Sequence, residues 1–450
     1  MNPHTSFDDQ NLIEDLIKKA KTGGAHDSDC MIVRSISLSH SQRLGKTEKL
    51  ERQESYDLSL RVINNQKQAI VSSTDLSISA LDELVERALA MANSVPEDPW
   101  CGIAESSQLA SNVPALEMED PEEPSNEVLV NIAQACEEAA MAIKGITNSD
   151  GAEAGWSHTG VTLGATNGFS GNYSRTDFGL GISVIAGKGT DMESDNDYSQ
   201  SVFFNDLENP EIIGANAGKR AVSHLGAKKM PTSNVPVVFD PRTANSLLGH
   251  LAGAINGSSV ARGTSFLKDQ LDKNIFSSGI NIIDDPHMSH GLRSKPFDGE
   301  GLENTKISLV QDGVLMTWLL DLASSRQLGL NSNGRASRSL SAPPNPSPTN
   351  IYLEAGNVTP DELIADISSG FYITSLMGMG VNGVTGDYSR GASGFWIENG
   401  EITFPVTEMT IAGNLKNMYQ KLVPANDLKF RYGTNSPTLR IDGLTVAGSG

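Results

Sequence analysis

Tyr56-Asp57-Leu58-Ser59-Leu60-Arg61-Val62-Ile63 can be laid over Phe178-Gly179-Leu180-Gly181-Ile182-Ser183-Val184-Ile185, and the architecture of the first half follows from that match. The inward positions agree as Tyr/Phe, Leu/Leu, Leu/Ile and Val/Val, while the outward ones differ freely, as in two strands that each bury one face. Upstream, Ile36-Ser37-Leu38 falls against Val161-Thr162-Leu163 at nearly the same offset. Downstream, Thr74-Asp75-Leu76 falls against Asn205-Asp206-Leu207, and each opens a helix. Alternation alone is common to amphipathic strands. The order strand, long hairpin, short Asp-Leu cap, helix is more specific and points to a duplicated β-rich unit. One such unit cannot bury both sheet faces, so two are expected to share a core.

Working outward, Leu12, Ile13, Leu16, Ile17 and Ala20 recur at helical spacing before the stop at Gly23-Gly24. Asn64-Asn65 reads as a hairpin turn. A second helix carries Leu81, Leu84, Val85, Ala88 and Leu89, and a third runs from about Ser125 to Lys144 after a proline-broken acidic loop. Past Pro231 the texture changes. Val235 to Phe239 reads as a buried strand, and Asp240-Pro241 caps a helix through Ile255. Asp312-Gly313 and Asn399-Gly400 mark hairpins, Ala342 to Pro348 an exposed proline-rich loop, and Pro360 to about Gly370 a further helix. The expected fold is α+β: duplicated β-hairpin/helix N-terminal units over 1–230 and a β-rich C-terminal domain over 231–450.

The 450 residues leave room for roughly two to four domains. Lys plus Arg is 34 and Asp plus Glu is 55, a formal net charge of -21. That balance argues against nucleic acid, whose phosphates are bound by basic side chains, and against anionic membrane surfaces. No apolar run approaches the ~20 residues of a membrane span. The opening residues lack the basic and apolar regions of a leader, so the expected location is the cytoplasm. Cys30, Cys101 and Cys136 are widely spaced and odd in number, which indicates neither a disulfide framework nor a cysteine metal cluster.

The chemistry-bearing residues are few. His250 stands alone on an apolar helix, with no second His one turn away and no adjacent Glu, unlike a metallopeptidase helix. His287 and His290, with Asp284 and Asp285, form a second candidate, but Pro286 makes the segment a loop. No Ser sits in a Gly-x-Ser-x-Gly elbow. Gly378 to Gly383 matches a dinucleotide string only numerically, because Val384 to Asp387 do not continue as a helix. Gly386-Asp387-Tyr388-Ser389-Arg390-Gly391 is more informative. There Arg390 could hold a peptide carboxylate through two parallel hydrogen bonds, or could pair with Asp387 to close a structural loop.

At these residues the sequence resembles the TldD/PmbA family, and within it the PmbA (TldE) branch. The matching segments include Ser72 to Leu76, Gly249-His250-Leu251, Pro296-Phe297-Asp298 with Glu300-Gly301, and Leu376-Met377-Gly378. They continue with Thr385 to Gly391, Phe395-Trp396, Glu398 to Glu401, and Ile411 to Leu415. The resemblance implies an α+β architecture and a role in peptide processing. Its TldD branch resembles a zinc metallopeptidase with a His-Glu-three residues-His helix, and PmbA-type chains are its partners. Here the equivalent stretch, Leu248 to Gly263, has neither two His nor a Glu, so no catalytic or metal residue is carried over. Ala336 to Asn350, rich in Ser and Pro, departs from the branch. The expectation is a subunit without its own cofactor that presents an extended peptide, by strand addition at a sheet edge, to a zinc-bearing TldD-type partner. It would form a homodimer when isolated. The substrate-binding candidates are Asp387, Tyr388, Ser389, Arg390 and Asn414. Two alternatives stay open: a stand-alone metal-dependent hydrolase using His287 and His290, and a non-enzymatic regulatory binding protein, as the family's historical label of DNA gyrase modulator suggests.

Overall fold

The Tyr56 and Phe178 strands lie in one six-stranded antiparallel sheet. The computed structural model describes residues 7–448; the Met1–Ser6 stretch read above for a leader lies outside the described residues. The first unit runs α1 (Phe7–Thr22), β1 (Asp27–Arg43), β2 (Lys46–Asn64), β3 (Lys67–Ser73) and α2 (Ile78–Ser94). The second repeats it as α3 (Asn126–Met141), β4 (Ile146–Ala165), β5 (Ser170–Ala186), β6 (Glu193–Ser201) and α4 (Pro210–Ser223). The strand order is β3-β2-β1-β4-β5-β6, so β1 and β4 join the two copies at the centre and β3 and β6 are the edges.

The repeat is real, but one register differs from the expectation. Tyr56 pairs with Arg34 and Phe178 with Trp156, so Ile36 corresponds to His158, not Val161. Ile36 and Leu38 pack beneath α3, whereas Val161 and Leu163 face the opposite side with Phe169 and Phe297. Both faces are covered here, so apolar alternation does not say which face a residue takes. On the helical face, Leu16, Leu58, Leu60 and Leu84 form one core, and Leu129, Phe178, Leu180 and Ile213 form the other. Each such side chain contributes about 1.5–3 kcal/mol when fully buried. Helices α3 and α4 touch backbone to backbone. A Cβ on Gly214 would lie 2.0 Å from the Cys136 carbonyl oxygen, so only glycine fits.

The chain then runs through β7 (Ser233–Phe239), α5 (Pro241–Ala254), α6 (Gly257–Ala261), β8 (Ile282–Asp285), β9 (Ile307–Gln311), β10 (Val314–Leu315) and α7 (Leu322–Leu328). Next come β11 (Ala336–Ser337), β12 (Asn345–Pro346), β13 (Asn350–Leu353), α8 (Pro360–Ile364), β14 (Ser369–Met377), β15 (Asp387–Glu398) and β16 (Glu401–Asn414). The last elements are α9 (Leu415–Gln420), β17 (Leu422–Pro424), β18 (Thr434–Asn435) and β19 (Leu439–Gly448). Strands β16-β15-β14-β7-β19 close into a barrel through β16–β19 pairing, and β10-β9-β8-β13-β18 form a second sheet. Helix α5 lies against both, sharing a core of Val237, Phe239, Leu247, Leu251, Leu309, Phe371 and Ile411. The helix expected to reach Gly370 stops at Ile364, because Ser369 onward is drawn into β14 by pairing with β7 and β15. Asn399 and Gly400 join β15 to β16 with positive φ (52° and 82°), as that turn type requires. The proline-rich loop is exposed at its tip but held by two arginines with buried side chains, Arg335 on Asp284 (2.5 Å) and Arg338 on Asp29. Among the described residues no helix is long and apolar enough to cross a membrane.

Candidate functional site

A polar cleft of ≈ 580 Å³ opens between edge strand β6 and barrel strands β14 and β15. Glu193 to Asn196 and Tyr198 line one side; Thr374 to Met377, Arg390 and Ser393 line the other, with His224, Arg242 and Ser246 between them. An edge strand normally offers unpaired backbone groups to any extended chain. In β6 those of Asn196 and Tyr198 are taken. The N–H groups of Asn196 and Tyr198 donate to the carboxylates of Asp195 (2.7 Å) and Asp197 (3.1 Å). The Asn196 carbonyl accepts from Arg242 (3.3 Å) and Arg220 (3.4 Å), and that of Tyr198 from Arg431 (2.9 Å). The arginines pair with the same acids, Arg242 with Asp195 and Arg220 with Asp197, both at 3.1 Å. Strand addition at this edge, the mode expected for a peptide, would have to displace that network.

His224 sits at the same edge. Its Nε2 lies 3.6 Å from Asp195 Oδ2 and 3.3 Å from Thr374 Oγ1. Burial holds its pKa below the usual histidine value; Asp195 pulls the other way, and Arg242 reinforces burial. Acid and hydroxyl meet the same ring nitrogen, so the group is not a nucleophile–His–Asp relay, which uses opposite nitrogens.

The five substrate-binding candidates divide into distinct environments. Strand alternation sends Asp387 and Arg390 to opposite faces, and the pair weighed as a loop closure does not form. Asp387 accepts from Thr385 Oγ1 (2.6 Å) and Asn414 Nδ2 (3.0 Å), and these two hydrogen bonds lower its pKa. Asn414 also caps α9, accepting from the Lys416 N–H (3.1 Å), so this pair stitches the glycine loop to β16. Ser389 is exposed, and its N–H donates to Gly380 O (2.7 Å). Tyr388 is buried against α5, its ring edge-on to His250 at 5.9 Å between centroids. Only Arg390 reaches the cleft, donating Nε–H to Gly378 O (2.9 Å).

The α5 region does not fit a zinc centre. His250 is its one imidazole, and its pKa is lowered first by burial and then by the Arg390 charge, which would also repel a cation. Among the described residues no group of three or more His, Cys, Asp and Glu is placed to hold a metal ion. His287 Nε2 contacts Asn304 Oδ1 (2.8 Å), while His290 Nδ1 contacts Asp206 Oδ2 (2.5 Å) and its ring stacks on Phe203 at 4.1 Å. The two loop histidines are thus held by different partners.

One buried cluster was not anticipated. Asp29 of β1 accepts from Arg61 Nε (2.8 Å) and pairs with Arg338, and the same enclosed cavity is lined by Glu300. Burial and the neighbouring Asp298 push the Glu300 carboxyl up to about 8. This cluster ties the N-terminal sheet to the proline-rich loop. Its sequence signal was the pair of acids in Asp298-Gly299-Glu300, with no hint of the distant arginines.

A duplicated helix-flanked sheet joined to a small barrel across a polar cleft defines an α+β protein. Models of the PmbA/TldA metallopeptidase domain 1, central domain and C-terminal domain match residues 29–92, 119–225 and 232–448. The chain is 36% identical over 445 residues to metalloprotease PmbA of Escherichia coli O157:H7, covering 98% of this chain and 97% of that one. A crystal structure of a candidate DNA gyrase modulator from Bacteroides thetaiotaomicron superposes with a TM-score of 0.91 at 25% identity, over 99% of this chain and 100% of that one. TldE from Thermococcus kodakarensis shares the fold with a TM-score of 0.83 at 20% identity, over 97% and 100%. The chain belongs to the PmbA/TldD family.

Proposed function

We propose that this chain is the PmbA/TldE-type subunit of a cytoplasmic peptide-processing complex and works in proteolysis and peptide maturation beside a zinc-bearing TldD-type partner. The observation that carries the reading is α5. A metallopeptidase needs two metal-binding His and a Glu on that helix, and this chain has one His beside a guanidinium. The relatives named metalloproteases support the proteolytic setting, and zinc would then be the partner's. The peptide would run through the β6–β15 cleft past Arg390, with Tyr388 backing Arg390, Asp387 and Asn414 holding the loop, and Ser389 exposed on the other face of β15. Met377 at the end of β14 and Met379 and Val384 on the loop that follows, all more than half exposed, offer an apolar patch suited to a partner subunit. The same face would support a homodimer when the partner is absent. Sedimentation velocity at micromolar concentration tests this: the chain alone should run above monomer mass and should form a mixed species with a TldD-type protein. A monomer that stays separate from that protein refutes the assembly.

A further inference from the structure

We propose that Arg390, Tyr388 and His250 form a receptor for a peptide carboxylate on the α5 side of the cleft. This deepens the peptide-path reading above. Tyr388 and Arg390 share one face of β15, and on that face His250 of α5 meets the Tyr388 ring. Two of the polar ends gathered there are buried without a well-formed hydrogen bond, with the Arg390 guanidinium as their charged neighbour. Tyr388 is 1% exposed, yet its hydroxyl makes no hydrogen bond, and the buried Nε2 of His250 makes none either. Native interiors seldom leave such groups unpaired. Arg390 uses its Nε on Gly378 O and, among the described residues, pairs with no carboxylate, whereas the cleft's other arginine, Arg242, is neutralised by Asp195. Burial pushes the Tyr388 phenol up to about 12 against the pull of Arg390, so it remains a donor at neutral pH. Burial and Arg390 together keep His250 neutral, with one ring N–H to give.

Each group in the cluster can donate a hydrogen bond and one carries a fixed positive charge, which suits an acceptor-only anion. A carboxylate takes two parallel bonds from a guanidinium and has lone pairs left for the phenol and imidazole. Arg390 is the member of the cluster that lines the cleft of ≈ 580 Å³, which admits the residues carrying the carboxylate, and the Tyr388 phenol and His250 ring stand buried behind it on the α5 side. The carboxylate can come from a peptide C-terminus or from an Asp or Glu side chain.

Fluorescence anisotropy with the full chain separates these sources. One labelled acidic peptide would be compared in three forms: free C-terminus, amidated C-terminus, and free C-terminus with its acids changed to amides. One neutralised form should bind about tenfold more weakly or worse, and which one it is names the source. Tyr388→Phe keeps the ring and its packing, and Arg390→Lys keeps the charge. Both should weaken the carboxylate probe about tenfold while leaving the weaker-binding neutralised probe unchanged. Equal affinity for all three forms, no binding of any, or loss of charged and neutral probes alike would overturn the receptor. The assembly reading stands or falls separately on the mixed species in sedimentation.

Discussion

Arg242 bolts the edge of the N-terminal sheet to the barrel, and removing it measures what that bolt contributes. Its Nη1 lies 3.1 Å from Asp195 Oδ1, with side chains only 18% and 11% exposed. At an effective dielectric of about 20, opposite charges at 3.1 Å attract by about 5 kcal/mol. Desolvation of two mostly buried groups takes back most of this, leaving a net coupling of about 1–3 kcal/mol. Arg242→Ala also gives up the hydrogen bonds to the Asn196 and Thr374 carbonyls (3.3 and 3.4 Å) and strands the Asp195 carboxylate. Arg242→Ala and Asp195→Asn should therefore each cost about 2–4 kcal/mol. For a unit of this size that is a fall in Tm of about 4–16 °C. Calorimetry on the wild type, both single variants and the double variant closes the cycle. The double variant should lose about 1–3 kcal/mol less than the sum of the singles. Additivity within about 0.5 kcal/mol, or singles that shift Tm by under about 2 °C, would refute the guarded-edge reasoning.

Glu300 folds with a carboxyl pKa of about 8 against an ordinary 4.5, so the folded chain binds the extra proton between those values and stability falls as pH rises through them. Glu300→Gln should flatten that loss in thermal melts taken from about pH 5 to about pH 9, and an unchanged slope would count against the assignment. Gly214→Ala, whose Cβ would meet the Cys136 carbonyl at 2.0 Å, should destabilise by about 1–3 kcal/mol in urea titrations. Gly249→Ala on α5, with nothing within 4 Å, should be neutral or stabilising by up to about 1 kcal/mol; equal effects at both glycines would argue against the α3–α4 contact. Elemental analysis of the isolated chain should find zinc far below one per chain, and a stoichiometric amount would restore the stand-alone hydrolase.

The duplication was legible because Tyr56 to Val62 and Phe178 to Val184 each bury alternate residues under helices, which leaves a period-two trace. The Ile36–Val161 register was not, because both sheet faces are covered there and alternation loses its direction. Arg390 stood out for its position between glycines, and the structure brings it to the cleft. The network around β6 left no local trace. Asp195, Arg220, Arg242 and Arg431 come from four separate segments, and only strand pairing and barrel closure bring them together. His250 was visible as a lone imidazole, but its meeting with Tyr388 depends on α5 lying across β15. Asp298 and Glu300 were visible as acids in a glycine-rich turn, but their burial was not, because the covering residues lie far along the chain.

The central claim, that this chain handles peptide while a partner supplies the zinc chemistry, is tested most directly by cleavage of one unstructured peptide under three conditions: this chain alone, a TldD-type protein alone, and an equimolar mixture. The account predicts no cleavage by this chain alone and a rate in the mixture well above that of the TldD-type protein alone. Cleavage by this chain alone at the rate of the mixture would contradict it.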